Sequence, residues 1–418
     1  MTLAKPEGID PKYLKLSYQP ARGPLSRRDL LFGPLTPRYE VVPAVEPEAC
    51  TAWKGCTRCL AACPQQAISL AGSAAAIDKA KCIGCGACLP VCPVGAIRQP
   101  LLNPERLEAE LRTLLTEEVA RKPRVLLVVA DGGAPPDELK NLPSLRLPSI
   151  GAVSAWLLLR ASTLGADEIA ILPCPTGCRH RCDQARWERT LRFTRDLLAR
   201  LGVEAERLVV VGREEVGSAV TLKAFGETIV GLSAHRLQKL AGLKIKEALG
   251  LPALLKELVS PAPIPPAPLI GDWIPFGMVK VQASRCTLCG ACAERCPSGA
   301  LAFYEDDESS QLLFDHARCD ACAACVQVCP EGALKIDRRL EFSRLWQPAV
   351  LAEDQMVRCL RCGAAIAPGR MLEKVQRSLD GAKASSGEAF GRYCPSCQML
   401  RSLATIGAAG GGGEEGCT

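Results

Sequence analysis

Sixteen of the 24 cysteines fall in four runs, each closed by a Cys-Pro pair. Three runs share the spacing C-x2-C-x2-C-x3-C-P: Cys82, Cys85, Cys88, Cys92 and Pro93; Cys286, Cys289, Cys292, Cys296 and Pro297; Cys319, Cys322, Cys325, Cys329 and Pro330. The fourth run, Cys50, Cys56, Cys59, Cys63 and Pro64, has its leading cysteine displaced, and Trp53 stands in the usual place. Iron prefers soft thiolates, and two-residue spacers let consecutive thiolates converge on one iron-sulfur cubane. A disulfide framework is the competing use of so many cysteines. Neighbours this close are too crowded to bridge usefully, and a chain of 418 residues has no need of a staple.

This spacing resembles the bacterial two-cluster ferredoxins, in which the fourth cysteine of each run ligates the cluster of the other. The resemblance implies two 2[4Fe-4S] modules and four clusters. Their ligands are Cys50, Cys56, Cys59 and Cys92; Cys82, Cys85, Cys88 and Cys63; Cys286, Cys289, Cys292 and Cys329; and Cys319, Cys322, Cys325 and Cys296. Cys50 is the candidate fourth ligand of the irregular site, since no other cysteine competes locally. The alternative is a three-cysteine [3Fe-4S] site with Cys50 free.

Two further knuckles, Cys359-Leu-Arg-Cys362 and Cys394-Pro-Ser-Cys397, suit a closed tetrahedral site that staples a small zinc-ribbon-like domain. Zinc is the expected ion. The same phrases resemble rubredoxin, which implies a single iron as the alternative.

The remaining metal-ligand pattern is the loop Pro173-Cys174-Pro-Thr-Gly-Cys178-Arg-His180-Arg-Cys182. It follows a predicted strand and precedes a predicted helix, where open α/β sheets carry ligand loops. Gly165-Ala-Asp-Glu-Ile-Ala-Ile-Leu-Pro-Cys174, this loop, and Leu201-Gly-Val-Glu-Ala-Glu-Arg-Leu208 resemble the delta subunit of methyl-viologen-reducing hydrogenase. That family passes electrons between a hydrogenase and heterodisulfide reductase, and its domain carries a [2Fe-2S] cluster. The resemblance makes Cys174, Cys178 and Cys182 candidates for a fifth iron-sulfur cluster, with His180 a candidate further ligand. The alternative is a structural or partner-facing loop.

The elements that must position these residues are legible in outline. After each fourth cysteine comes a repeated phrase, as in Pro93-Val-Gly-Ala-Ile97 and Pro330-Glu-Gly-Ala-Leu334, whose small residues turn the backbone before a short strand. Each ferredoxin module then reads as short hairpins and helices. Val125–Val129, Glu168–Leu172 and Leu208–Val211 read as buried strands, alternating with helices at 153–163 and 183–201. That alternation implies a central parallel-sheet α/β domain. The fold class expected is therefore α+β and α/β multidomain. Its divisions are an extension (1–49), module 1 (50–100), the α/β domain (123–258), a Pro-rich linker (259–275), module 2 (276–345), the zinc-ribbon-like domain (346–403) and a disordered tail (404–418).

Composition excludes several functions. The net charge of +6 over 418 residues does not single out a nucleic-acid binder. No apolar run reaches the roughly 18–20 residues of a membrane span, which leaves peripheral attachment open. No phosphate loop, dinucleotide fingerprint or haem attachment motif appears, and three histidines offer little for independent catalysis. Numerous thiols favour a reducing compartment, the cytoplasm. Ser26-Arg27-Arg28-Asp-Leu-Leu-Phe32 resembles a twin-arginine export motif, yet Gly33-Pro34 and charged residues follow instead of an apolar stretch. A similar arginine-pair opening marks the ferredoxin-type accessory proteins of periplasmic nitrate reductase. Residues 1–49 are expected to bind a partner rather than direct export. Seven arginines between Arg179 and Arg200 read as a solvated helix face, with an acidic docking partner as the alternative.

The expected function is an iron-sulfur electron-transfer subunit of a hetero-oligomeric complex. It would serve a catalytic oxidoreductase partner such as a formate dehydrogenase, a hydrogenase or a heterodisulfide-reductase-like complex. The alternative is a ferredoxin-type accessory or maturation protein of a molybdenum reductase.

Overall fold

The computed structural model describes residues 8–20, 35–116, 124–130, 135, 137–174, 183–203, 207–211, 250–259, 265–381 and 391–409. The arginine pair at 27–28, Cys178, His180 and Cys182 lie outside the described residues. The chain divides into two compact units, Met1–Pro275 with Arg338–Leu345, and Phe276–Asp337 with Trp346–Thr418.

In the first unit, β1 (Leu14–Pro20) pairs antiparallel with β2 (Leu35–Val41). The pair lies within the extension expected at 1–49 and is fastened to module 1 by the Lys15 ammonium, which donates to the carbonyls of Ala80 (3.1 Å) and Cys82 (2.8 Å). The two strands lie far apart in sequence, so no local pattern announces their pairing. β3 (Ala44–Val45), α1 (Arg58–Ala62), β4 (Ile68–Ala71), β5 (Ala74–Ile77) and β6 (Ile97–Arg98) complete the module. A two-residue turn joins β4 to β5, with Gly72 at φ 61° in the position where such a hairpin takes glycine. The module's core is Cys59, Ile68, Ala75, Cys88 and Ile97, ringed by further cysteines and small aliphatic residues. So thin a core relies on whatever its thiols bind.

α2 (Pro104–Thr116) leads from module 1 to the parallel sheet. Its Glu108 accepts hydrogen bonds from Arg160 at 2.5 and 3.0 Å, and Arg160 is only 1% exposed. The sheet comprises β7 (Val125–Ala130), β8 (Ser144–Leu147), β9 (Glu168–Leu172) and β10 (Leu208–Val210) in the order β10-β9-β7-β8, all parallel. Every residue of β7 and β9 is buried, as central parallel strands require, and this is why they read as apolar runs, unbroken in β7 and interrupted in β9 only by its first residue, Glu168. Two helices make the crossovers. α3 (Ala155–Thr163), capped by the Ser154 hydroxyl, joins β8 to β9, and α4 (Gln184–Arg200), capped by Asp183, joins β9 to β10. α5 (Leu251–Val259) buries Leu254, Leu255 and Leu258.

The stretch 265–275 is docked rather than free. β11 (Leu269–Ile270) pairs with Leu340 and Arg339, and the Trp273 indole donates to Asp196 at 2.8 Å. Arg192 stacks on that indole at 3.3 Å, while Arg195 donates to the Leu208 carbonyl. Two of the arginines expected on a solvated face are thus engaged within the unit.

In the second unit, β12 (Gly277–Val281), α6 (Ala291–Glu294), β13 (Leu301–Glu305), β14 (Ser309–Phe314), α7 (Ala324–Val328) and the start of β15 (Leu334–Leu340) build module 2. Ser310, Leu312 and Phe314 alternate inward along β14, the signature of a half-buried strand. β16 (Ala349–Arg358) pairs with β14 on one side and with β17 (Ala365–Pro368) on the other. The cysteine knuckles therefore share one antiparallel sheet with module 2. α8 (Gly369–Gly381) and α9 (Pro395–Ala409) follow. α9 continues past the boundary expected at 403, because Leu403-Ala-Thr-Ile406 sustains a helix and Gly407 costs it only about 1 kcal/mol.

Candidate metal centres

The ferredoxin loops owe their shape to left-handed backbone. In each regular run the residues before and after the second cysteine both have positive φ: Gly84 and Gly86, Leu288 and Gly290, Ala321 and Ala323. In the irregular run Gly55 has φ 81° but Thr57 has −129°. Gln66, Leu288, Ala321 and Ala323 are the non-glycine residues with positive φ among the described residues, and all four lie in these loops. Such conformations cost energy and persist where the surroundings enforce them, which is typical of ligand sites.

The phrase after each fourth cysteine has a comparable explanation. Gln66, Gly95, Gly299 and Gly332 occupy one position and share positive φ. This turn aims the amide of the following alanine back at sulfur in three runs: Ala67 to Cys63 Sγ (3.2 Å), Ala96 to Cys92 Sγ (3.2 Å) and Ala333 to Cys329 Sγ (3.3 Å). An amide donor favours the charged form of a sulfur ligand.

The thiols fall into neighbourhoods. Burial, then Cys56, Cys92 and Cys50, pushes the Cys59 thiol up to about 11. Burial, then Cys85, Cys82 and Cys63, pushes Cys88 well above its ordinary value. Cys292 rises to about 12 through burial and its neighbours Cys286, Cys325, Cys289 and Cys329. Cys319 and Cys322 rise to about 12, with burial first, then Asp320, and Cys296 also contributing. Thiolates crowded this closely cannot all ionise without a cation among them, so the donor set fits a metal cluster. One small recess is lined by Cys286, Cys289, Cys292 and Cys329, and another by Cys63, Cys82, Cys85 and Cys88.

Cys50 and Trp53 have opposite placements. The Ala75 amide donates to Cys50 Sγ at 3.4 Å, on the side of Cys59, whereas Trp53 is 57% exposed.

Gly277 packs directly against one module 2 cysteine, Cys319. A Cβ there would lie 2.9 Å from Cys319 Sγ, 2.8 Å from Ile336 and 3.0 Å from the Ala321 backbone. Gly277→Ala is therefore expected to displace Cys319 and lower the iron content of the purified protein. Unchanged iron and an unchanged visible spectrum would refute that expectation.

At the knuckles, the ligand atoms of Cys359, Cys362, Cys394 and Cys397 all lie within 4.8 Å of one another. β16 and β17 present the first pair, and the start of α9 presents the second. The Gly363 amide donates to the Cys359 carbonyl (2.9 Å), and the Leu360 amide to Arg392 (3.0 Å), closing one knuckle against the other. Backbone donors, that of Cys394 first, lower Cys359 to about 6, while burial raises Cys397 to about 12. Four sulfurs of this compactness suit a tetrahedral ion.

Cys174 lies just beyond the carboxyl end of β9, in the zone where open α/β sheets bind ligands. Its neighbour there was not apparent in the sequence. The Ile150 amide donates to Cys174 Sγ at 3.5 Å, and the adjoining Ser149 hydroxyl donates to the Cys85 carbonyl at 2.7 Å. Two successive residues after β8 thus link Cys174 to a module 1 cysteine. Ser149 carries no motif that would have marked it.

Comparison with known families agrees with this anatomy. Residues 43–96 match a 4Fe-4S dicluster domain, and residues 278–330 match another. Residues 138–232 match the delta subunit of methyl-viologen-reducing hydrogenase. No curated protein matches the chain. Two 4Fe-4S dicluster domains therefore flank a domain similar to the hydrogenase delta subunit, followed by a C-terminal four-cysteine site, and the chain is an iron-sulfur protein built for electron transfer.

Proposed function

We propose that the chain is an electron-transfer subunit carrying four [4Fe-4S] clusters, which relays electrons to or from a catalytic oxidoreductase in a hetero-oligomeric complex. The observation that carries this reading is the crossed neighbourhood of the thiols: Cys63 beside Cys82 and Cys88, Cys92 beside Cys59, Cys296 beside Cys319, Cys329 beside Cys286. Such crossing is what two-cluster ferredoxins need. The clusters, when bound, supply one-electron carriage. The chain's own residues hold the sulfurs and donate amides to those of Cys63, Cys92 and Cys329. The family of the middle domain favours a hydrogenase or heterodisulfide-reductase-like partner, and Cys174, Cys178 and Cys182 are the candidates for a fifth cluster. Cys359, Cys362, Cys394 and Cys397 would hold zinc, and a reducing cytoplasm suits the free thiols. Among the described residues, no helix is long and apolar enough to cross a membrane.

Anaerobically isolated protein is expected to contain about sixteen cluster irons per chain, four per cubane. A count near eight after reconstitution would overturn the four-cluster reading. Cys50→Ala is expected to convert one cluster to a three-iron form, visible by electron paramagnetic resonance. An unchanged spectrum and iron count would show that Cys50 is no ligand. Co-purification of a catalytic subunit at fixed stoichiometry tests the partnership.

A further inference from the structure

The two thiol sets of module 2 differ in ways that bear on where an electron rests. Two residues before the second cysteine of the runs stand Lys54, Ile83, Thr287 and Asp320, the first of these in the irregular run. Asp320 alone is acidic. Both of its carboxylate oxygens are shut off from solvent, and it stands in the tight loop between Cys319 and Cys322, next in the chain to one sulfur and two residues from the other. Cys319, Cys325 and Cys296 around it are buried. In the other set Cys289 is exposed and Cys286 and Cys329 are half-buried, beside an open recess. A buried negative charge opposes the arrival of another, and solvent around a set stabilises the added charge. Both differences act in the same direction.

We propose that Asp320 polarises module 2, so that a single electron held by the module resides at Cys286, Cys289, Cys292 and Cys329, the set open to solvent, rather than at Cys319, Cys322, Cys325 and Cys296. This rests on the four-cluster reading above. One electron passes between the sets: the Asp320 side is oxidised and the Cys289 side reduced, no bond is made or broken, and no proton moves. Asp320 is a positioning residue for charge, acting through the thiolates that flank it in the chain.

The test is a potentiometric titration of the intact, iron-loaded chain, followed by electron paramagnetic resonance. Asp320→Asn is expected to raise one midpoint by at least tenfold in the one-electron equilibrium, about 59 mV, and leave the rest in place. The reciprocal Thr287→Asp puts a carboxylate at the matching position of the other set, and is expected to lower a different midpoint. If Asp320→Asn fails to retain iron, the reciprocal variant decides alone. About sixteen irons with no midpoint moved, or with the same midpoint moved by both variants, would overturn the polarisation and leave the four-cluster reading standing. A second module that takes up no iron would overturn both.

Discussion

Glu108→Ala is expected to destabilise the first unit by about 3–5 kcal/mol, the cost of stripping a buried charge of its partner. Arg160 sits on α3, 1% exposed, and Glu108 of α2 accepts from both its Nε and its Nη2. Arg112 adds a second, half-exposed donor to the same carboxylate. Without Glu108 the guanidinium of Arg160 would be left buried with the Thr163 hydroxyl as its side-chain partner among the described residues. Urea denaturation of the holo protein measures the loss. Replacing the pair together, Glu108→Leu with Arg160→Met, should recover most of it, because removing both charges also removes their desolvation cost. Acid should act similarly. Burial alone would raise the Glu108 carboxyl, but the hydrogen bonds from Arg160 and Arg112 outweigh it and hold the group below its ordinary 4.5. Its stabilisation is therefore complete above that value and is lost as the pH falls through the depressed folded value. A Glu108→Ala midpoint equal to that of the wild type would show that the pair contributes nothing.

Cys394→Ser is expected to release the C-terminal ion and unfold α9 with the two knuckles, while the ferredoxin modules keep their iron. Structural zinc sites in small peptides contribute about 10–16 kcal/mol of apparent folding free energy, so a domain built around one rarely survives losing a ligand. Among the described side chains of α9, the apolar Met399, Leu400 and Leu403 are exposed rather than packed in a core. α8 should persist. The Arg370 amide donates to Asp354 at 2.7 Å, its guanidinium to the Glu353 carbonyl at 2.6 Å, and Lys374 pairs with Glu331 at 2.9 Å, all without the ion. Hydrogen exchange resolved by segment, with metal analysis, separates these outcomes. Native protection in a metal-free variant would refute the structural role, and one iron per chain at this site would replace zinc with a rubredoxin-like centre.

The sequence by itself determined the chemistry, because cluster and zinc ligands must be thiols and their local spacing is written in the chain: Cys82, Cys85 and Cys88 read as a metal loop with no fold at all. It also determined the parallel sheet, since strands buried on both faces, such as Val125–Ala130 and the Ile169–Leu172 stretch of β9, appear as apolar runs. Tertiary structure alone decided how distant segments meet. Left-handed backbone at Leu288, Ala321 and Ala323 runs against the local preference of those residues and is imposed by the loops around them. The hairpin of Leu14–Pro20 with Leu35–Val41, the Glu108–Arg160 pair, Trp273 on α4, and the route from Cys85 through Ser149 and Ile150 to Cys174 all join residues far apart in sequence. Contacts of that kind leave no period and no motif, because a side chain that meets its partner across the fold needs no particular neighbour along the chain.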